Sequence, residues 1–95
     1  MPRVVVADEA VTELRRIART HSLPSDTHQR VARSASRLQE FPELGPALAG
    51  SWSGYRFLLG PWSWMVLVYE VVDPELVVVV TIQDARSSSA ATGSR

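Results

Sequence analysis

The stretch GYRFLLGPWSWMVLVYEV, residues 54–71, decides the fold, and the rest of the chain is organised around it. Two apolar runs flank Gly60-Pro61, a dipeptide typical of turns. This pattern predicts a hairpin of two strands, residues 55–59 and 64–71, joined by a tight turn. The three tryptophans and both tyrosines of the chain lie in or beside this hairpin.

Two helices are predicted upstream of the hairpin. Residues 9–20 carry apolar side chains at helical spacing, and Asp8 stands where an N-cap residue is expected. A second helix follows the break at Pro24 and runs to about Glu40, where Phe41-Pro42 ends it. Because the connection between the two helices is short, we expect them to pack antiparallel.

Two further strands complete the predicted fold. Residues 3–7 and 76–82 are rich in β-branched side chains, and the second run is apolar enough for a strand covered, or nearly covered, on both faces. The order β-α-α-β-β-β predicts an α+β domain, with an antiparallel helical hairpin packed on a small, mostly antiparallel sheet. Residues 1–86 form this single domain, and the polar residues 87–95 are expected to be disordered.

The composition argues against several classes of site. The chain has no cysteine and only two, isolated histidines, so neither a disulfide framework nor a metal cluster is expected. It has no Gly-rich phosphate loop and no nucleophile–base motif, and no cofactor is expected. No apolar run is long enough to span a membrane and no signal-peptide layout is present, so we expect a cytoplasmic protein.

The charges are unevenly distributed, although the net charge is zero. In the first 37 residues seven arginines outnumber four acidic residues, whereas residues 38–84 hold Arg56 against six acidic residues. This asymmetry permits an acidic protein or a nucleic acid as partner, and it equally fits a solvated helical hairpin. The arginines of the two predicted helices are Arg15, Arg16, Arg19, Arg30, Arg33 and Arg37.

Arg56 and Arg86 are the candidate working residues. Arg56 lies inside an apolar strand, where an unpaired guanidinium is costly to bury, so it must reach solvent, a carboxylate or a ligand phosphate. Arg86 ends the last strand and is expected to converge with Arg56, since two arginines on one face can bind a phosphodiester. Trp62 and Trp64 are candidates for stacking on bases. The alternative is an Arg56–Glu70 pair across the hairpin, with the tryptophans in the core or at its rim.

Six short motifs follow one another along residues 3–86: VADEA (6–10), LQEFPELG (38–45), LAG (48–50), GYRFLLG (54–60), VYEV (68–71) and IQDAR (82–86). Taken in order, they resemble the RelE/ParE superfamily of bacterial type II toxin–antitoxin toxins. The resemblance implies the same α+β fold that the patterns predict. In relatives that cleave mRNA on the ribosome, basic residues on the exposed sheet face hold the phosphate, and Arg56 and Arg86 match such positions.

Several positions depart from the pattern of the ribonucleases in this superfamily. Val66 stands where relatives often carry an arginine, Ala85 where many have a histidine, and residues 87–89 where many have a tyrosine. The chain also has no lysine, a residue that contributes to the nuclease sites. Proton transfer at the ribose 2′-hydroxyl therefore lacks an evident donor and acceptor, and endoribonuclease activity stays open.

The resemblance implies two routes to growth arrest: ribosome-dependent mRNA cleavage, or inhibition of DNA gyrase as in ParE-like members. It also implies a cognate antitoxin that neutralises the toxin in a hetero-oligomer. The six helical arginines would suit an acidic antitoxin segment. The alternative is a binding or regulatory protein that keeps the toxin fold and has lost the catalytic residues.

Overall fold

The computed structural model describes residues 1–87, 90 and 91. The helices and strands are, in chain order, β1 (Arg3–Val6), α1 (Asp8–Thr20), α2 (Thr27–Ser36), β2 (Arg56–Leu59), β3 (Met65–Asp73) and β4 (Leu76–Asp84). Short 3-10 turns at Arg37–Gln39 and Gly50–Trp52 lie between α2 and β2. The predicted α+β architecture, with its helical hairpin packed on a small sheet, is confirmed.

The four strands form one mixed sheet in the order β1-β4-β3-β2. β1 runs parallel to β4, from which the two helices and the β2–β3 hairpin separate it in the chain, and the other neighbours are antiparallel. β3 lies inside the sheet and pairs on both sides, with Leu67 opposite Leu58 on β2 and Ile82 on β4.

A bulge in β4 explains why its apolar run does not alternate strictly. Val68 pairs with Thr81 and Tyr69 pairs with Val79, which leaves Val80 without its own partner on β3. The extra residue shifts the phase of the strand, so Val79 and Ile82 both face the core although they are three positions apart.

The helical hairpin covers one face of the sheet. Its apolar stripe packs on alternate residues of β3 and β4, and this contact forms the main core. The buried members of this core are Ala10, Leu14, Ile17, Val31, Ala35, Leu38, Leu58, Met65, Leu67, Tyr69, Val77, Val79 and Ile82.

β3, rather than β4, is the strand excluded from water on both faces. Each residue from Met65 to Tyr69 is 0% exposed, including Val66 and Val68, which lie on the face away from the helices. β4 instead alternates between buried and partly exposed positions, and β1 covers its outer edge only as far as Val79. Residues 76–82 are all buried or partly buried, so β4 is nearly covered on both faces, as predicted.

Two helix boundaries differ from the prediction. Asp8 is the first residue of α1, and the N-cap position belongs to Ala7, which has no side chain to cap the helix. The second helix ends at Ser36 and continues as a 3-10 turn over Arg37–Gln39, after which the Phe41 N–H donates to the Arg37 carbonyl at 3.0 Å. Pro42 disfavours helical geometry at the residue before it, which is consistent with this early end.

The connection between β2 and β3 is longer than the tight turn predicted at Gly60-Pro61. The Gly60 N–H donates to the Met65 carbonyl at 2.9 Å, and residues 61–64 form the loop that this bond closes. Trp64, predicted to start the strand, therefore lies in the loop together with Trp62.

The loop between α2 and β2 is fastened to the sheet at Gly45. The Gly45 N–H donates to the hydroxyl of the fully buried Tyr69 at 2.9 Å. A side chain at position 45 would collide with the backbone, since a Cβ there would lie 1.8 Å from the Phe57 carbonyl oxygen. Burial raises the pKa of the Tyr69 hydroxyl, and the Gly45 hydrogen bond and the positive charge of Arg56 oppose that rise. The hydroxyl is thus neutral and available as an acceptor.

Part of the polar tail expected to be disordered, residues 88, 89 and 92–95, lies outside the described residues. Ala90 is buried, and the Ala91 N–H donates to the Gln83 side-chain oxygen at 2.7 Å. This described part of the tail thus contacts the end of β4.

Both halves of the Gly45–Tyr69 contact should matter for stability. Tyr69→Phe leaves the buried Gly45 N–H without its acceptor and should lower the free energy of unfolding by about 1–3 kcal/mol. Gly45→Ala should cost about 3 kcal/mol, because the backbone must move to admit the methyl group. Urea unfolding measures both changes. Tyr55→Phe, at the partly buried tyrosine, is the control, and an equal loss there would contradict the assigned role of Tyr69.

Candidate functional site

Two tryptophans of the hairpin loop form the centre of the candidate site. The rings of Trp62 and Trp64 stack with their centroids 6.3 Å apart and their planes inclined by 28°. The Trp64 carbonyl accepts the Ala85 N–H at 2.7 Å, so the hairpin loop is fixed to the end of β4. This bond brings residues far apart in the sequence to one end of the sheet.

Cationic and imidazole side chains cover the faces of this tryptophan pair. The Arg86 guanidinium carbon lies 4.7 Å from the Trp64 ring centroid, and that of Arg30 lies 5.7 Å from the Trp62 centroid. The His21 ring lies 4.7 Å from the Trp64 ring at a 42° tilt. Cation–π contacts of this kind attract the guanidinium to the face of the ring and so restrict its movement.

Asp84 joins Arg86 to His21. Arg86 donates from Nε to Oδ1 and from Nη2 to Oδ2 of Asp84, both at 2.9 Å, and the His21 Nε2 lies 3.4 Å from Oδ2. The side-chain hydrogen bond from Arg86 is the main reason that the pKa of Asp84 falls from 3.8 to about 2. The same bond raises the pKa of Arg86. The carboxylate and the guanidinium therefore stay charged together.

Arg86 is positioned to bind an anion at the surface. Its side chain is 58% exposed, although Trp64 and Asp84 hold it in one orientation. A guanidinium has five N–H donors, so two bonds to Asp84 leave donors for a phosphate or a carboxylate of a partner. Asp84 offsets part of the positive charge of Arg86. A ligand is therefore recognised mainly through the N–H donors of Arg86 that Asp84 does not use.

The tryptophans do not offer the free faces that stacking on bases requires. Trp64 contacts Trp62, His21 and Arg86, and the other tryptophan contacts Arg30. Their role in the structure is to support the cations. We therefore assign Trp62 and Trp64 to the framework of the site.

Arg56 does not converge with Arg86. Arg56 lies opposite Tyr69 and Asp84 lies opposite Met65, so the two positions are separated by about 13 Å along β3. The Arg56 Nη1 donates to the Gly45 carbonyl at 2.7 Å and approaches the Glu43 carbonyl at 3.5 Å. The predicted convergence was wrong, because the strand carries Arg56 to the opposite end of the sheet.

Arg56 also does not pair with Glu70, the predicted alternative. Glu70 neighbours Tyr69 on β3 and so lies on the other face of the sheet from Arg56. The Arg56 Nη1 faces backbone carbonyls of the α2–β2 loop instead.

The helical arginines form a basic surface that reaches the tryptophan pair. Arg16 pairs with Glu13, Arg30 pairs with Asp26 at 3.0 Å, and the Arg37 Nε donates to the Ser34 carbonyl at 3.3 Å. Arg15, Arg19 and Arg33 form no ion pair within the described part of the chain. A groove of about 570 Å³ beside Pro61 is lined by Arg30, Arg33 and Arg37.

His21 and Asp84 are members of the cluster that sequence reasoning missed. In the sequence His21 is one of two isolated histidines, and Asp84 is one of six acidic residues among residues 38–84. The spacing Asp84-x-Arg86 is the one local signal of the ion pair, since residues two apart at a strand end can meet. His21 has no such signal, because its partners come from the opposite end of the chain.

No cluster of three or more metal-binding side chains occurs among the described residues. None of the helices in that part of the chain is long and apolar enough to cross a membrane.

The sequence of this chain matches the model of a known protein family. Residues 4–88 match the family model of the ParE toxin of the type II toxin–antitoxin system, parDE. The chain belongs to this family. It is therefore a toxin-type protein of the RelE/ParE superfamily, a class whose partner is an antitoxin protein. No curated protein matches the sequence at a significant level.

Solved structures of similar fold support the architecture of this ParE family member. The crystal structure of YafQ from E. coli strain BL21(DE3) matches 95% of this chain and 100% of its own, with a TM-score of 0.65 and 12% identity. The solution structure of the conserved protein HP0894 from Helicobacter pylori matches 88% of this chain and 94% of its own, with a TM-score of 0.57 and 18% identity. At these identities the likeness shows the fold.

The pKa of Asp84 is a direct test of the Arg86 contact. An NMR titration of the Asp84 carboxyl should give a midpoint near 2, and Arg86→Gln should move it back toward 3.8. Because the folded-state pKa is lower than the unfolded one, the pair stabilises the fold above about pH 4 and loses that contribution as the pH falls toward 2.

His21→Gln is the control for this titration, since the charge of His21 is the smallest of the named causes and its removal should move the midpoint less. A wild-type midpoint near 3.8 would show that Arg86 and Asp84 do not pair in solution.

Proposed function

We propose that the protein is the toxin of a type II module and arrests growth by binding DNA gyrase through the surface around Arg86. The observation that carries this proposal is the exposed guanidinium, which Trp64 and Asp84 hold in one orientation. Membership of the ParE family supports gyrase as the target, since ParE-like members act on it. Gyrase is a cytoplasmic enzyme, so the proposal also implies a cytoplasmic toxin.

Binding fits the site better than mRNA cleavage does. A ribonuclease of this superfamily holds the phosphate with several basic residues, and here Arg56 is used to fasten a loop. Cleavage also needs groups that accept and donate protons at the reacting oxygens. The sequence has no lysine, and no tyrosine follows Arg86, where relatives carry one.

One contact favours mRNA cleavage as the second candidate function. The His21 imidazole shares Asp84 with Arg86, so a side chain suited to proton transfer lies beside a cation suited to phosphate. His21 comes from the end of α1 and would replace the histidine that relatives carry at the position of Ala85. Intact or fragmented ribosome-bound mRNA distinguishes the two candidates.

The helical arginines are the proposed contact for an acidic segment of the cognate antitoxin. Arg15, Arg19 and Arg33 keep charges that no described carboxylate neutralises. Complementary charge speeds the encounter of two proteins and orients them before contact. Neutralisation then follows if the bound antitoxin blocks access to Arg86, and the product is a toxin–antitoxin hetero-oligomer.

Growth after induced expression tests the proposal. The wild type should arrest growth with mRNA intact, and Arg86→Gln should abolish the arrest because it removes the donors that face the target. Its affinity for purified gyrase should fall about 30-fold or more, as for a central interface residue. Arg56→Gln should keep the arrest in chains that fold, while its free energy of unfolding drops by about 1.5–3 kcal/mol.

Arg3→Gln is the matched control for loss of an arginine charge, since Arg3 lies exposed on β1. Arrest with fragmented mRNA, lost in both Arg86→Gln and His21→Gln, would favour the ribonuclease instead. A folded wild-type chain that causes no arrest would overturn both and leave a binding or regulatory protein with the toxin fold.

A further inference from the structure

An apolar groove lies at the end of the sheet opposite to Arg86, between the α2–β2 loop and the β3–β4 turn. It encloses about 770 Å³, and its apolar lining residues are Phe41, Pro42, Leu44, Val71 and Pro74. Phe41 is 59% exposed and Leu44 is 45% exposed, although both are large apolar side chains. Exposed apolar side chains that cluster in this way mark interaction sites. We refer to this feature as the loop groove.

The backbone holds the loop groove in shape. The Phe41 N–H donates to the Arg37 carbonyl and the Leu44 N–H donates to the Phe41 carbonyl, each at 3.0 Å. At the next residue, Gly45 is fastened by Tyr69 and by Arg56. Because both ends of the turn are fixed, a partner does not have to order Phe41 and Leu44 on binding.

The charge of the loop groove selects the partner. Glu40, Glu43 and Asp73 line it, and no basic side chain does so among the described residues. None of these three carboxylates forms an ion pair in the described part of the chain. A partner must therefore bring apolar side chains together with positive charge, the opposite of what the helical arginines require.

We infer that the loop groove binds a segment of the cognate antitoxin in which apolar side chains are flanked by lysine or arginine. The inference rests on the antitoxin partnership, and it adds a second contact, of opposite charge, to the one at the helical arginines. A second copy of this chain fits less well. In that arrangement the helical arginines of one copy would enter the groove of the next, so the contact would be heterologous and would join copies head to tail.

The test measures the affinity of the purified chain for the purified product of the small open reading frame beside its gene. Phe41→Ser combined with Leu44→Ser should weaken the complex about 30-fold or more, because both side chains lose their buried contacts. Glu43→Lys should weaken it about tenfold at low salt, and this difference should shrink in 0.5 M salt, roughly where charges are screened within a few ångströms.

Leu59→Ser is the matched control, since Leu59 is also 45% exposed but lies on β2 away from the groove. Leu59→Ser should leave the affinity within about threefold of the wild type. Glu9→Lys is the corresponding control for the charge reversal in Glu43→Lys. Circular dichroism checks that each variant is folded.

Two results would overturn the inference: wild-type affinity in the Phe41/Leu44 double variant, or a wild-type homodimer in light scattering that this variant dissociates. The second result would assign the groove to another copy of the chain. Growth arrest by the wild type without antitoxin is measured separately. Its absence would refute the proposed toxicity, while the comparison of affinities would still decide the role of the groove.

Discussion

The burial of β3 is the constraint on which the rest of the structure depends. Met65–Tyr69 are completely excluded from water, and a buried strand needs partners for all its backbone N–H and carbonyl groups. β2 and β4 supply these partners on the two sides, and the helical hairpin covers alternate side chains. The register that pairs Met65 with Asp84 also brings the hairpin loop to the end of β4. The contact between Trp64 and Arg86 is thus a consequence of pairing β3.

The two arginines of the predicted site show how one residue type takes two roles. Arg56 lies opposite the buried Tyr69, and its Nη1 donates to the Gly45 carbonyl, so it helps to hold the α2–β2 loop on the sheet. Arg86 lies at the surface, where Asp84 and Trp64 orient it without burying it. A cation that is both fixed and exposed in this way can recognise a partner.

Opposite ends of β3 carry surfaces of opposite character. The cations, the imidazole and the tryptophans lie near the start of β3. The carboxylates and the exposed apolar side chains lie near its end. The basic first half and acidic second half of the sequence become separate surfaces in this way. Two chemically distinct surfaces on one small domain allow two contacts to be selected independently.

The sequence by itself determined the elements, their order and the fold class. Helical spacing of apolar residues marked both helices, and apolar, β-branched runs with turn residues between them marked all four strands. Such signals are local, since each side chain reports the environment of its own element. Only the tertiary structure decided which groups Arg56 contacts. It also decided the convergence of His21, Asp84 and Arg86 and the bulge at Val80. Each depends on strand register and on contacts between residues distant in sequence, which no local pattern encodes.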